Sequence, residues 1–171
     1  MMTDQSESSD HSSTYSMRGE RVMRLSKSEI ERRARSFCRA LGLSSRGVKQ
    51  PIVQAIEGLR VSHGIPLNLD AIDDDEWELY GIAEALCDPR SLSILMPNSL
   101  YIRVANNDPE ALLILFHELG HIFLGHTPVL HYRRDTAPVK EEDAEWQADV
   151  FAESALRMLM PKQVPSQLEL F

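Results

Sequence analysis

His117-Glu118-Leu119-Gly120-His121 sets two imidazoles four residues apart with a carboxylate between them. On a helix, residues four apart lie one turn above each other, so both rings can reach one metal ion while Glu118 points toward a water beside it. The chemistry such a set performs is zinc-assisted hydrolysis. Bound zinc lowers the pKa of a water from ~16 to about 7, and a carboxylate within reach takes its proton as the oxygen attacks a peptide carbonyl. Glu118 is therefore the candidate base, and His117 and His121 are candidate ligands.

These residues need a helix, and the flanking sequence supplies one. Asp108-Pro109 reads as an N-cap followed by proline at the first helical position, and Glu110 adds a first-turn negative charge that the helix dipole favours. From Leu112 to Leu124 apolar residues cover most of the circumference, which describes a helix buried in a core. A catalytic zinc takes three protein ligands and keeps one open position. A third histidine in the His-Glu-x-x-His-x-x-Gly-x-x-His register would fall at position 127, but the chain has Leu124, Gly125 and His126 there, out of step by one. A second helix offers Glu145-Trp146-Gln147-Ala148-Asp149. Glu145 can bind the metal, and Asp149, one turn on, can orient a ligand histidine through its free ring N–H. Glu141, Glu142 and Asp143 lie just upstream and remain alternatives, with a solvated first helical turn as their simpler role.

The pairing of the His117–His121 segment with Glu145-Trp146-Gln147-Ala148-Asp149-Val150-Phe151-Ala152, followed by Leu159-Met160-Pro161, resembles the ImmA/IrrE family of metallo-endopeptidases. The likeness spans roughly residues 50–161, and its specific motifs are confined to the two helices. It implies a zinc-dependent peptidase with Glu145 as third ligand, acting in several members on a helix-turn-helix transcriptional repressor. The chain departs from the pattern at Asp149, where asparagine is usual, and at Gln147, where glutamate is frequent. Neither change removes a ligand if Glu145 is the third.

The remaining elements must place those helices. With 171 residues, 43% of them hydrophobic, the chain can bury one core, and 26% charged residues is ordinary for a soluble domain. Residues 1–25 read as a disordered polar tail, residues 26–161 as a zincin-like metallopeptidase domain, and residues 162–171 as a flexible C-terminal tail. Capping boxes at Ser26 and Ser28 open a first helix whose inner face carries Ile30, Ala34, Phe37, Cys38 and Leu41 before Gly42. Pro51 opens a second helix that closes near His63-Gly64, and Pro66 starts an extended segment. Asp73–Glu76 reads as a loop and Tyr80–Ala83 as a strand. Ser91–Met96 and Leu100–Val104 read as a hairpin around Pro97-Asn98-Ser99. The expected fold is α+β: N-terminal helices, a small antiparallel sheet, then two zinc-site helices. Leu100–Val104 is the candidate edge strand for an extended substrate. His126, His131, Tyr132 and Tyr101 are the residues that could donate to an oxyanion, though each reads more simply as a surface residue.

Partners follow from charge and from the terminus. The net charge is -8, yet residues 18–39 hold eight basic residues against three acids. That run lacks interleaved aromatics and the rest of the surface repels phosphate, so it reads as a solvated helix face and nucleic-acid binding is not expected. Nothing is apolar enough for a membrane span or a secretory signal, and Cys38 and Cys87 match no zinc or redox spacing; a cytoplasmic protein with reduced thiols is expected. The terminal Gln167-Leu168-Glu169-Leu170-Phe171 resembles the peptide by which bacterial proteins dock on the DNA polymerase sliding clamp, with Gln167, Leu168, Leu170 and Phe171 as anchors. The alternative function is thus a regulatory module that keeps its zinc site but acts through this tail on the clamp.

Overall fold

The computed structural model describes residues 15–43, 51–81, 83–128 and 136–160. Its centre is the helix bearing the histidines, α6 (Pro109–Leu124), with α7 (Ala144–Leu159) packed along it and α1 (Lys27–Ala40) against both. Leu112, Leu115, Phe116 and Leu119 of α6 have no exposed surface, nor have Phe151, Ala152 and Ala155 of α7 or Ile30, Ala34 and Cys38 of α1. Removing each large side chain of this set from water contributes about 1.5–3 kcal/mol. Phe37 knits the three helices together, its ring lying 6.2 Å from Phe116, 4.7 Å from Phe123 and 5.5 Å from Phe151.

The helix boundaries follow the expected chemistry. Ser26 caps α1 by accepting from the Glu29 N–H, and Asp108 caps α6 by accepting from the Ala111 N–H, with Pro109 in the first turn. Gly125 ends α6 at φ 70°, a conformation that needs no Cβ. The helix expected from Pro51 breaks at Gly58 into α2 (Ile52–Glu57) and α3 (Leu59–His63) and ends at Gly64.

The α+β class holds, but three local expectations fail. Asp73–Glu76 is not a loop: Asp73 accepts from the Asp75 N–H and caps α4 (Asp74–Tyr80), whose acidic first turn suits the helix dipole and whose Trp77 is buried, donating from Nε1 to the Ala83 carbonyl. Tyr80, expected to open a strand running to Ala83, instead ends α4, and Gly81 stops it at φ 54°; Ile82 lies outside the described residues. The hairpin fails as well. Ser93–Pro97 is a strand, β3, but Asn98–Ala105 is a helix, α5. Leu100 and Val104 are buried four residues apart while Ile102 between them is 51% exposed, so the apolar alternation that suggests a strand is one face of a helix. Pro97, extended at ψ 150°, ends the strand and precedes the helix.

β3 instead pairs with two other segments, β1 (Asn68–Ile72) in parallel and β2 (Leu86–Asp88) antiparallel, in the order β1-β3-β2. The sheet is mixed rather than antiparallel, because α4 lies between β1 and the other two strands in sequence. Its central strand buries Ile94 and Met96 completely, and β2, at an edge, lies beside α6.

The N-terminal segment also differs from expectation. Residues 15–25, read as part of a polar tail, lie on the start of α7. The Ala144 N–H donates to the Glu20 carbonyl and the Val22 N–H to that of Glu142, with Val22 buried. Polar composition hid this strap because its apolar anchors are few, Val22 and Leu25, and the rest of its hold is hydrogen bonds. Residues 161–171, and with them Gln167, Leu168, Leu170 and Phe171, lie outside the described residues. No described helix is long and apolar enough to cross a membrane.

Candidate metal centre

The approach of α6 to α7 makes the site. Gly120 allows it: a Cβ built there would stand 3.1 Å from Ala148 Cα and 3.3 Å from Phe151 Cβ, so any other residue would hold the helices apart. At this crossing His117 and His121 face Glu145, and Asp149 stands behind His117. His117 Nε2 lies 3.1 Å from Glu145 Oε2 and 3.2 Å from His121 Nε2, and His121 Nε2 lies 3.6 Å from Glu145 Oε1. Two zinc ligands at about 2.0–2.1 Å in tetrahedral geometry are separated by roughly 3.3 Å. The two imidazole nitrogens and the Glu145 carboxylate are thus spaced as ligands of one metal ion are, and among the described residues these three are the set that could hold one.

Protonation supports the same fit. Asp149 Oδ1 is 2.9 Å from His117 Nδ1, and a carboxylate can only accept, so Nδ1 carries a proton and Nε2 is the nitrogen presented to Glu145. Arg18 of the strap donates to the other oxygen of Asp149 at 2.6 Å. Burial pulls the His117 imidazole down, but the bonds to Asp149 and Glu145 outweigh it and raise its pKa to about 9. His121, one turn on, is driven the other way: burial, then the neighbouring His117 and His126, lower it to about 4. Glu145 is held below the usual carboxylate range, chiefly by its bond to His117. In the metal-free protein a proton on His117 Nε2 sits where nitrogens and a carboxylate converge, a place complementary to a cation.

Glu118 lies on the same helix and lines, with His117, His121 and Glu145, an open cleft of about 400 Å³. Burial pushes its pKa up to about 7, with Glu145 adding to the rise and His117 opposing it. A carboxylate so poised is a usable base near neutral pH. Ala83, Ala85, Leu86 and Cys87, in and just before β2, also line the cleft, as does Glu20 of the strap. Burial pushes the thiols of Cys38 and Cys87 up to about 12, so neither is a nucleophile near neutral pH.

Of the acids upstream of Glu145, none joins the cluster. Glu142 pairs with Arg21 at 2.7 Å, and Asp143 is fully buried, accepting from the Tyr15 hydroxyl and from the main-chain N–H groups of Arg18, Gly19 and Glu145. Burial would raise Asp143, but these donors outweigh it and hold its pKa low. Asp143 is thus the knot between strap and α7, not a solvated helix terminus. Part of the basic run is likewise engaged in ion pairs, Arg18 with Asp149 and Arg21 with Glu142.

Tyr101 lies on α5 and packs against the core, and His131 and Tyr132 lie outside the described residues. His126, read from sequence as a surface loop residue, instead lies against the site. Its Nδ1 is 2.8 Å from His121 Nδ1 and its Nε2 is 3.0 Å from the side-chain oxygen of fully buried Gln147. Gly19 is a second residue that motif reading passes over. A Cβ there would stand 2.6 Å from Glu145 Cγ, so the strap confines that carboxylate. Neither has a local sequence signal, because each acts on a residue more than four positions away.

A histidine pair and a carboxylate on crossing helices, with a second carboxylate in a cleft beside an edge strand, define a site of the metallohydrolase class. Comparison with family models agrees: residues 82–170, just over half of the chain, match Peptidase M78, the IrrE N-terminal-like domain. The chain belongs to this peptidase family, and the resemblance read from its two helices holds, with a metallopeptidase-type function and hence a protein substrate. No curated protein and no solved structure matches it.

Proposed function

We propose that this protein is a zinc-dependent endopeptidase in which His117, His121 and Glu145 hold the metal, Glu118 is the general base and Asp149 orients His117. The observation that carries the reading is the convergence of three residues, His117, His121 and Glu145, with donor atoms 3.1–3.6 Å apart and Glu118 in the same cleft. Zinc bound there supplies a Lewis acid that acidifies water and polarises a peptide carbonyl. Glu118 accepts a proton from water in the cleft and returns it to the leaving amine, and its raised pKa suits both transfers. Asp149 keeps the His117 proton on Nδ1, leaving Nε2 free to bind.

The substrate enters as an extended chain. Leu100–Val104, expected from sequence to be that edge strand, lies in helix α5 and does not line the cleft; β2 takes the role, since it is an edge strand and its residues wall the cleft. Backbone pairing to Leu86–Asp88 would lay a peptide carbonyl across the site. The family resemblance favours a regulatory protein, a helix-turn-helix repressor, as the chain that is cut. The peptide Gln167–Phe171 adds a separate docking partner, the sliding clamp, and loss of clamp from a pull-down after deletion of Leu168–Phe171 is the expected result.

Elemental analysis of purified wild type, Glu118→Gln and Glu145→Ala tests the site. One zinc per chain is expected in wild type and Glu118→Gln, with peptidase activity lost in the latter, and little zinc in Glu145→Ala. Full zinc in Glu145→Ala would remove Glu145 from the ligand set.

A further inference from the structure

One buried polar cluster at the site has no part in the reaction just described: His126 and Gln147. The side-chain nitrogen of Gln147 is 2.8 Å from the Met23 carbonyl and 2.7 Å from the Glu141 carbonyl. Both carbonyls only accept, so they determine which way the amide faces: its NH2 toward them and its oxygen toward His126. That oxygen, 3.0 Å from His126 Nε2, also only accepts, so His126 carries its proton on Nε2. A neutral imidazole has one N–H. The Nδ1 of His126 is then a bare acceptor 2.8 Å from His121 Nδ1, which must donate. The lone pair of His121 is left on Nε2, the atom that faces His117 and Glu145.

The geometry points to His126 and Gln147 as positioning residues that hold His121 in its Nδ1–H tautomer and so present Nε2 to the metal. This rests on the metal-site reading above. The Nδ1–H form is the minor tautomer of a free neutral histidine, so without the chain of bonds His121 would tend to carry its proton on the nitrogen that must bind. The relay also ties the ligand to the rest of the fold: the two carbonyls that orient Gln147 come from the strap and from the turn before α7. In this way residues 15–25 reach the metal site without touching it at His121.

The test uses metal-free full-length protein with nitrogen-15 histidines, and zinc titration against a competing chelator. In wild type, the imidazole nitrogen shifts of His121 should show the proton on Nδ1. In His126→Phe, which leaves the two carbonyl bonds of Gln147 in place, the proton should move to Nε2 and zinc affinity should fall about 10–100-fold. His126→Gln, whose amide can accept from His121 and donate to Gln147, should recover most of the affinity. Gln147→Leu added to His126→Phe should cost little more, since both act through one chain. A His121 proton on Nε2 in wild type, or unchanged affinity in His126→Phe, would overturn the inference. Wild type that shows the Nδ1–H form but binds no zinc would sink the metal-site reading and leave the relay standing.

Discussion

The two histidines of the site, one helical turn apart, are held in opposite ways. Behind His117 stands a charge: Asp149, itself gripped by Arg18. Behind His121 stands a neutral chain, His126 and then Gln147. The first arm raises the basicity of its imidazole, to about 9, and the second leaves its imidazole at about 4. Both aim Nε2 of their imidazole at the same point. The lesson is that orientation and charge are separable contributions of a ligand's surroundings. A site with a carboxylate behind both histidines would add negative charge beside Glu145 and Glu118, and raise the pKa of the base further.

Removing the charged arm should have the largest effect. Asp149→Leu deletes both the bond to His117 and its charge, and zinc affinity by chelator competition is expected to fall about 10–100-fold. Asp149→Asn keeps an acceptor for Nδ1 and removes the charge alone, so its loss should be several times smaller. Equal losses in the two variants would mean that charge, not orientation, is what this arm supplies.

Moving both arms together is the next test. Gly120→Ala gains up to about 1 kcal/mol of helix propensity, but its methyl group meets Ala148 Cα at 3.1 Å and overpacking costs about 1–3 kcal/mol. A lower Tm with weaker zinc binding is expected. Unchanged affinity would show that the helix crossing tolerates a shift that the donor separations do not reveal.

The arms should also separate by pH in metal-free protein. The folded-state pKa of His117 lies above its usual 6.5, so the stability it contributes is complete below pH 6.5 and is lost as pH rises through about 9. His121, lowered to about 4, contributes stability that is complete above pH 6.5 and lost as pH falls toward 4. Glu118, raised to about 7, opposes His121 between its usual 4.5 and 6.5, so the His117 limb above pH 7 is the one left visible. Chemical denaturation from pH 7 to 9 should show wild type losing stability and Asp149→Leu losing markedly less. A parallel fall in both would place the titration elsewhere.

Arg18→Ala should do least. Its ion pair with Asp149 is short but the guanidinium is 39% exposed, so the loss is expected to be under about 1 kcal/mol, a few-fold in zinc affinity. A loss as large as that of Asp149→Leu would mean that the strap, rather than α7 alone, sets the Asp149 geometry.

Local sequence carried much of this molecule. The helix caps at Ser26 and Asp108 and the one-turn spacings His117–His121 and Glu145–Asp149 are all interactions within four residues, and each stands where the sequence put it. The same reading failed where two local patterns coincide. Leu100, Ile102 and Val104 alternate like a strand, yet only packing against α2 and α6 selects the helical face on which Leu100 and Val104 meet the core. The acid run from Asp73 is compatible with a loop or a helix N-terminus until Trp77 finds a buried place to anchor the latter.

What only the tertiary structure decided are contacts between residues far apart in the chain: Gly19 against Glu145, Arg18 on Asp149, Gln147 on Met23, and the parallel pairing that brings β1 beside β3. Spacing reveals which donors can share one helix face, because the helix repeat is a property of the backbone itself. It cannot reveal which buried amide will orient an imidazole from a neighbouring element, because that depends on where three separate segments come to rest.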